Sequence, residues 1–121
     1  MYDIVTIGDI KLDTFITIPS ASLQCSLRDQ DCFICLEYGK KISVESFEPQ
    51  IAGSSANVAV ACSRLGLRSA VYSIMSDDET TDLAFKILGR EGVDTRYIKI
   101  KKDVQSSFSI VLIFRGERTI L

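Results

Sequence analysis

Ala52-Gly53-Ser54-Ser55-Ala56-Asn57 leads into Val58-Ala59-Val60-Ala61-Cys62-Ser63 and stops at Arg64-Leu65-Gly66. Apolar residues nearly all the way round this segment predict a helix packed on several sides, and its many small side chains let it lie close to a sheet. Gly66 suits the left-handed position just past the last helical turn. At the front, Gly53 allows a backbone to come close to a bound molecule. Ser54 or Ser55 can cap the helix, and their hydroxyls and the free N–H groups of the first turn can hold polar ligand atoms. Asn57 in that turn both donates and accepts hydrogen bonds. The same residues also admit a purely structural role, with the serines as caps and Asn57 filling a polar gap.

Working outward, Ile4, Val5 and Ile7 form a short apolar run ended by Gly8-Asp9, as expected of a buried strand in a parallel sheet. Residues 14–18 give a second strand, stopped by Pro19. Residues 20–41 show no clear periodicity and carry Cys25, Cys32 and Cys35. Residues 41–47 alternate polar and apolar, the pattern of a strand with one wet face. After the helix, residues 70–75 read as a strand and complete a βαβ-like unit with the first. Ser76-Asp77-Asp78-Glu79 supplies caps and negative charge for a second helix, whose stripe is Leu83 with Ile87 and Ala84 with Leu88, ending at Gly92. Capping accounts for this acidic run better than a metal site does. Strands follow near 97–101 and 107–114, then a tight turn at Arg115-Gly116-Glu117. Residues 118–121 begin a further strand that reads as unfinished, so the chain is expected to be the front part of a larger protein.

The 121 residues suffice for one compact core, and 14 Lys+Arg against 16 Asp+Glu leave no basic face for nucleic acid. No secretory signal or membrane-length apolar run is visible, which points to a cytoplasmic protein with no membrane partner and with reduced thiols. Cys32-x-x-Cys35 has zinc-knuckle or redox spacing. The chain has no histidine, so with Cys25 a fourth metal ligand would have to come from Asp29, Asp31, Glu37, water or another chain. Reduced structural thiols are the simpler expectation, and no metal ligand is assigned. A dinucleotide-binding turn needs G-x-G-x-x-G followed at once by a helix, and Gly8-Asp9-Ile10-Lys11-Leu12-Asp13 has one glycine and no such helix.

In order and spacing, the chain resembles the ribokinase-like (PfkB) family of carbohydrate kinases. The resemblance rests on Asp3-Ile4-Val5-Thr6-Ile7-Gly8-Asp9 leading to Asp13, then Ala52-Gly53-Ser54-Ser55-Ala56-Asn57 with Arg64-Leu65-Gly66. It continues through Asp77-Asp78-Glu79, Glu91-Gly92-Val93-Asp94-Thr95 and Gly116-Glu117-Arg118-Thr119-Ile120. It implies an α/β fold, with an incomplete ribokinase-like sandwich core (1–12 and 49–95) and a small β-sheet lid (13–48 and 96–118). The lid strands would be those near 14–18, 42–47, 97–101 and 107–114. It also implies phosphoryl transfer from ATP with Mg2+ to a hydroxymethyl group of a sugar or nucleoside.

Carried over position by position, Asp13 falls where the family holds substrate hydroxyls with a carboxylate, which can accept from two hydroxyls at once. As a structural residue it would be a strand-start carboxylate in water. Gly53, Ser54 and Asn57 fall in the sugar-binding turn. Lys11 falls where several members have an asparagine that contacts the sugar; it reads either as a sign of a more acidic substrate or as a solvated side chain. Ser76 and Thr80-Thr81 replace the usual glycine and aromatic-glycine pair around the acidic run. The Gly-Ala-Gly-Asp-like motif that carries the family's catalytic base and anion hole does not occur in these residues, so no catalytic or nucleotide-binding residue is assigned. The implied role is the sugar-binding half, inactive alone, with possible homodimerisation through apolar lid faces. A non-catalytic sugar-sensing module with the same fold is the alternative.

Overall fold

The computed structural model describes residues 1–26 and 31–121. Along the chain run β1 (Ile4–Ile7), β2 (Lys11–Thr17), β3 (Ser22–Cys25), β4 (Cys32–Cys35), β5 (Ser46–Ala52), α1 (Ser54–Arg64), β6 (Ser69–Ser76), α2 (Glu79–Arg90), β7 (Asp94–Lys101), β8 (Ser107–Phe114) and β9 (Glu117–Ile120). The chain divides into two compact units, Met1–Asp13 with Pro49–Ser109 and Thr14–Glu48 with Ile110–Leu121.

The first unit is built on a parallel sheet in the order β1-β6-β7. Thr6 pairs with Val71, and Ser73 with Ile98, so one pleat face carries Thr6, Val71, Ser73, Met75 and Ile98. Val71, Met75 and Ile98 join Ile10, Ala59 and Leu88 in the main buried cluster. The alanines of α1 matter here: Ala56 and Ala59 are fully buried, and neither holds the helix away from the sheet. The opposite pleat face is uneven: Ile7 is 77% exposed and Ile74 48%, whereas Ala70 and Ser76 are buried.

Both helices end in the same way. Gly66 and Gly92 take positive φ (86° and 74°). After α1, Leu67 N–H donates to Cys62 O and Gly66 N–H to Ser63 O; after α2, Val93 N–H donates to Leu88 O and Gly92 N–H to Gly89 O. These crossed bonds satisfy carbonyls that the helix leaves without partners. At the front of α2, the Asp78 carboxylate accepts from Thr81 N–H at 3.2 Å, the expected cap. Two of the three residues that depart from the pattern of the resembled family bond to each other, Thr81 Oγ1 donating to Ser76 O at 2.6 Å.

The four-stranded sheet has the order β5-β2-β8-β9. In the second unit, β8 and β9 are antiparallel with Phe114 opposite Glu117. Arg115 (φ 51°) and Gly116 (φ 83°) form the two-residue turn between them. The last strand has a partner: it pairs with β8, and Leu121 exchanges both backbone bonds with Ile110. A separate hairpin, β3-β4, sits where no periodicity was visible.

Three further expectations are corrected. The strand near 97–101 is β7 of the parallel sheet rather than a lid strand. Backbone pairing to β6 decides this, and it moves residues 96–109 into the first unit. The alternating segment 41–47 is mostly outside a strand; β5 starts at Ser46 and accommodates Pro49, whose missing N–H is tolerated because β5 is an edge strand. The cysteines are not all reduced, because Cys25 and Cys32 are directly opposite in the hairpin, 4.0 Å apart at Cα, and form a disulfide. Cys35 and Cys62 are free. Asp29, one of the candidate metal ligands, lies outside the described residues. Among those described, no three His, Cys, Asp or Glu side chains group as a metal site, and no helix is long and apolar enough to cross a membrane.

Candidate functional site

The residues singled out from the sequence fall at two neighbouring positions of the first unit, the start of α1 and the chain leaving β1. Gly53 is the N-cap of α1 at φ 109°, and no side chain caps the helix. The expectation that Ser54 or Ser55 would cap is thus overturned, because the helix already begins at Ser54. Ser55 is buried, and its hydroxyl instead donates to Asp9 O at 2.7 Å. Its own carbonyl accepts from Thr6 Oγ1 at 2.9 Å.

Gly53 is buried, and a Cβ there would strike the carbonyl of Asp9 and come within 3.0 Å of Ile10 Cα. The glycine is required by this backbone-to-backbone approach. Gly8 faces the same junction, where an added Cβ would lie 3.4 Å from Ser55 Cβ. The two turns are therefore locked together, and the N-terminus of α1 is fixed relative to the end of β1. Ser54 and Asn57 remain exposed, with no side-chain hydrogen bond among the described residues. Asn57 N–H donates to Gly53 O at 2.9 Å and closes the first helical turn.

From Ile10 the chain enters β2, where Lys11 and Asp13 share a face because they are two residues apart. Lys11 Nζ lies 3.4 Å from Asp13 Oδ1 and donates to Ser109 Oγ at 2.9 Å. Lys11 is thus a partly buried, engaged cation and not a freely solvated side chain. The Asp13 side chain is 17% exposed, and its Oδ1 is buried without any hydrogen bond. The ammonium balances its charge but leaves that acceptor unfilled. No hydrogen bond joins Asp13 to Ser54 or Asn57 among the described residues. In an extended strand Asp13 stands about 10 Å beyond Ile10, the residue against which Gly53 packs. Sequence reasoning missed Ser109 and Thr6, whose partners lie 98 and 49 residues away. No local pattern marks such pairs.

The acidic run after β6 is structural. Burial pushes the Asp78 carboxyl up, but the hydroxyl of Ser106 at 3.0 Å and the N–H of Thr81 outweigh it and hold it below the ordinary range. Elsewhere, Tyr2 OH donates to Asp94 Oδ2 at 2.6 Å. That bond, with help from Arg96, holds the Asp94 carboxyl down at about 2. The same bond pushes the Tyr2 phenol up to about 12.

The β1-β6-β7 sheet and its helices, with the glycine-serine turn against the chain leaving the first strand, form an α/β core. Comparison with known proteins gives the family. The pfkB family carbohydrate kinase profile matches residues 17–121, and the chain belongs to that family. It is 38% identical over 80 residues to a protein assigned as a sugar kinase in Pyrococcus horikoshii, covering 66% of this chain and 25% of that one. It is 35% identical over 88 residues to a protein assigned as a fructokinase in Arabidopsis thaliana, covering 71% and 27%. The solved structure of Arabidopsis thaliana ribokinase, complexed with ribose and ATP, shares the fold at a TM-score of 0.76 and 19% identity. That match covers 97% of this chain and 34% of the ribokinase. The chain thus spans about a quarter to a third of the length of these relatives.

Proposed function

We propose that this chain is the sugar-binding portion of an ATP-dependent carbohydrate kinase, which transfers the γ-phosphate to a hydroxymethyl group of a sugar or nucleoside. The observation that carries it is Asp13, a part-exposed carboxylate charge-balanced by Lys11 with an oxygen that accepts no hydrogen bond. The Asp13 side chain is part-exposed, and a carboxylate can accept from polyol hydroxyls through the part that solvent reaches. Ser54 and Asn57 offer further donors and acceptors at a rigid helix start, and Gly53 and Ser55 hold that start in place. Where the family commonly has an asparagine, the cation Lys11 favours a substrate with an acidic or strongly electron-rich group.

The catalytic base, the nucleotide site and Mg2+ are assigned to polypeptide beyond these residues. Two things support this: the absence of the glycine-rich motif from the sequence, and the share of each relative that the chain spans. The exposure of Ile7 and Ile74 on one face of the β1-β6-β7 sheet agrees with it, since parallel sheets are ordinarily covered on both sides. A flap that closes over the substrate would exclude water, the competing acceptor for the phosphate. Pairing of two copies through that unit and a cytoplasmic location belong to the same proposal; Phe47 and Ile120, both exposed, offer apolar surface for the pairing.

Titration calorimetry of the 121-residue chain with ribose, fructose and a nucleoside tests the assignment. Binding of one of them, weakened about tenfold or more by Asp13→Asn, is the expected result. Unchanged affinity in that variant overturns the role of Asp13. Sugar-dependent release of ADP by the chain alone, in the presence of ATP and Mg2+, refutes the division of labour.

A further inference from the structure

The hairpin β3-β4 is a two-stranded sheet of its own, joined by pairing to no third strand among the described residues. Each strand has four residues, and all of β3 is exposed. Of its three large apolar side chains, Leu23 and Phe33 are 44% and 60% exposed and only Ile34 is part-buried. Little apolar burial therefore supports the ladder, and isolated two-stranded hairpins are marginal in water. What closes it is covalent: Cys25 and Cys32 are register partners at its loop end, and their sulfurs are bonded. Both cysteines are exposed, so small thiols can reach the bond.

The C-x-x-C spacing suggested a different pair, Cys32 with Cys35. Three residues apart on one strand, these two point to opposite faces. The register sets Cys35 opposite Ser22 instead. Cys35, half-buried, and Ser22 line a concavity of about 530 Å³ together with Leu36, Lys40, Lys41 and Ser43. The hairpin is one wall of that concavity.

We propose that the Cys25–Cys32 disulfide is a thiol-exchange site, and that its state decides whether the β3-β4 hairpin, and with it this wall, stays formed. The partner is a dithiol. Its thiolate attacks one cysteine sulfur, the S–S bond breaks, and a mixed disulfide forms. The second thiol then displaces the protein and closes a disulfide within the reagent. Two electrons pass to the protein, the dithiol is oxidised, and two protons end on Cys25 and Cys32. Once released, the two strands lose the constraint that offset their ordering entropy, and the ladder frays. In a reducing compartment the wall stands open until the reverse exchange with a disulfide reagent, which takes up the two electrons and two protons, re-forms the bond.

Differential alkylation with peptide mapping, followed by amide hydrogen exchange with and without dithiothreitol, tests this on the intact chain. Without reductant, the expected peptides show Cys25 linked to Cys32, with Cys35 and Cys62 alkylated. Dithiothreitol should speed exchange about tenfold in 22–25 and 32–35 while β6 is unchanged. A Cys25→Ser/Cys32→Ser variant should exchange at the reduced rate in both buffers, and Cys35→Ser should keep the full response. A Cys32–Cys35 link, four free thiols after mild oxidation, or unchanged hairpin exchange on reduction would each overturn the proposal.

Discussion

The junction of β1 with α1 and the cysteine hairpin are both places where two chain segments are held together, by opposite means. At the junction, Gly53 lets one backbone rest on another, and Thr6, Ser55 and Asp9 add a buried chain of hydrogen bonds. At the hairpin, a single covalent bond ties exposed strands that bury little. The first is specified by shape and survives any redox condition. The second depends on the chemistry of its surroundings. The substrate-binding role proposed for the turn needs the first kind of support, because a carboxylate and a helix terminus must keep their separation when no ligand is present.

The largest expected effect breaks the junction. Gly53→Ala drives a Cβ into the Asp9 carbonyl at a φ of 109°, and should cost about 3 kcal/mol in urea unfolding. Gly39 sharpens the contrast. It too has positive φ (70°) but nothing within 4 Å of an added Cβ, so Gly39→Ala should cost only about 1 kcal/mol. Equal losses at the two glycines would mean that the close approach contributes nothing.

Ser55→Ala keeps the shape and removes the donor to Asp9. A loss of about 1 to 2 kcal/mol by the same measurement is expected, with any bound sugar weakened because the α1 start loosens.

The smallest effect lies at the Tyr2–Asp94 tie, part-buried and noncovalent. Asp94 titrates lower in the fold than in the unfolded chain, so its contribution is complete above about pH 4 and is lost as pH falls toward 2. Tyr2 titrates higher in the fold, so the alkaline loss begins near pH 10 and is complete past about 12. Thermal melts across pH should show a plateau with both edges softened by Tyr2→Phe. Edges unmoved in that variant would show that the tie adds nothing to stability.

How far the sequence could be read depends on the range of the interactions. Both glycine-terminated helices, the Asp78 cap and the β8-β9 turn follow from neighbours within a few residues, and each was legible. The long-range pairings were not. Nothing local says that residues 94–101 pair with β6, since alternation marks a strand but does not name its neighbour. Residues 41–47 alternate as well as any strand here, yet the ladder begins at Ser46. Ser55 was read as a cap from its position, but its hydroxyl serves a carbonyl 46 residues away.

The amino-acid order alone determined that this is an α/β chain, because periodicity, helix stops and the glycine-serine turn are local; its resemblance to a known family, in the order and spacing of those stretches, pointed to the carbohydrate kinases. It also singled out Asp13, Gly53 and Asn57. Only the tertiary structure decided what Gly53 is for, which cysteines join, and that Lys11 is engaged by Asp13 and Ser109. Those outcomes depend on which distant backbones come within contact distance, and folding alone brings them together.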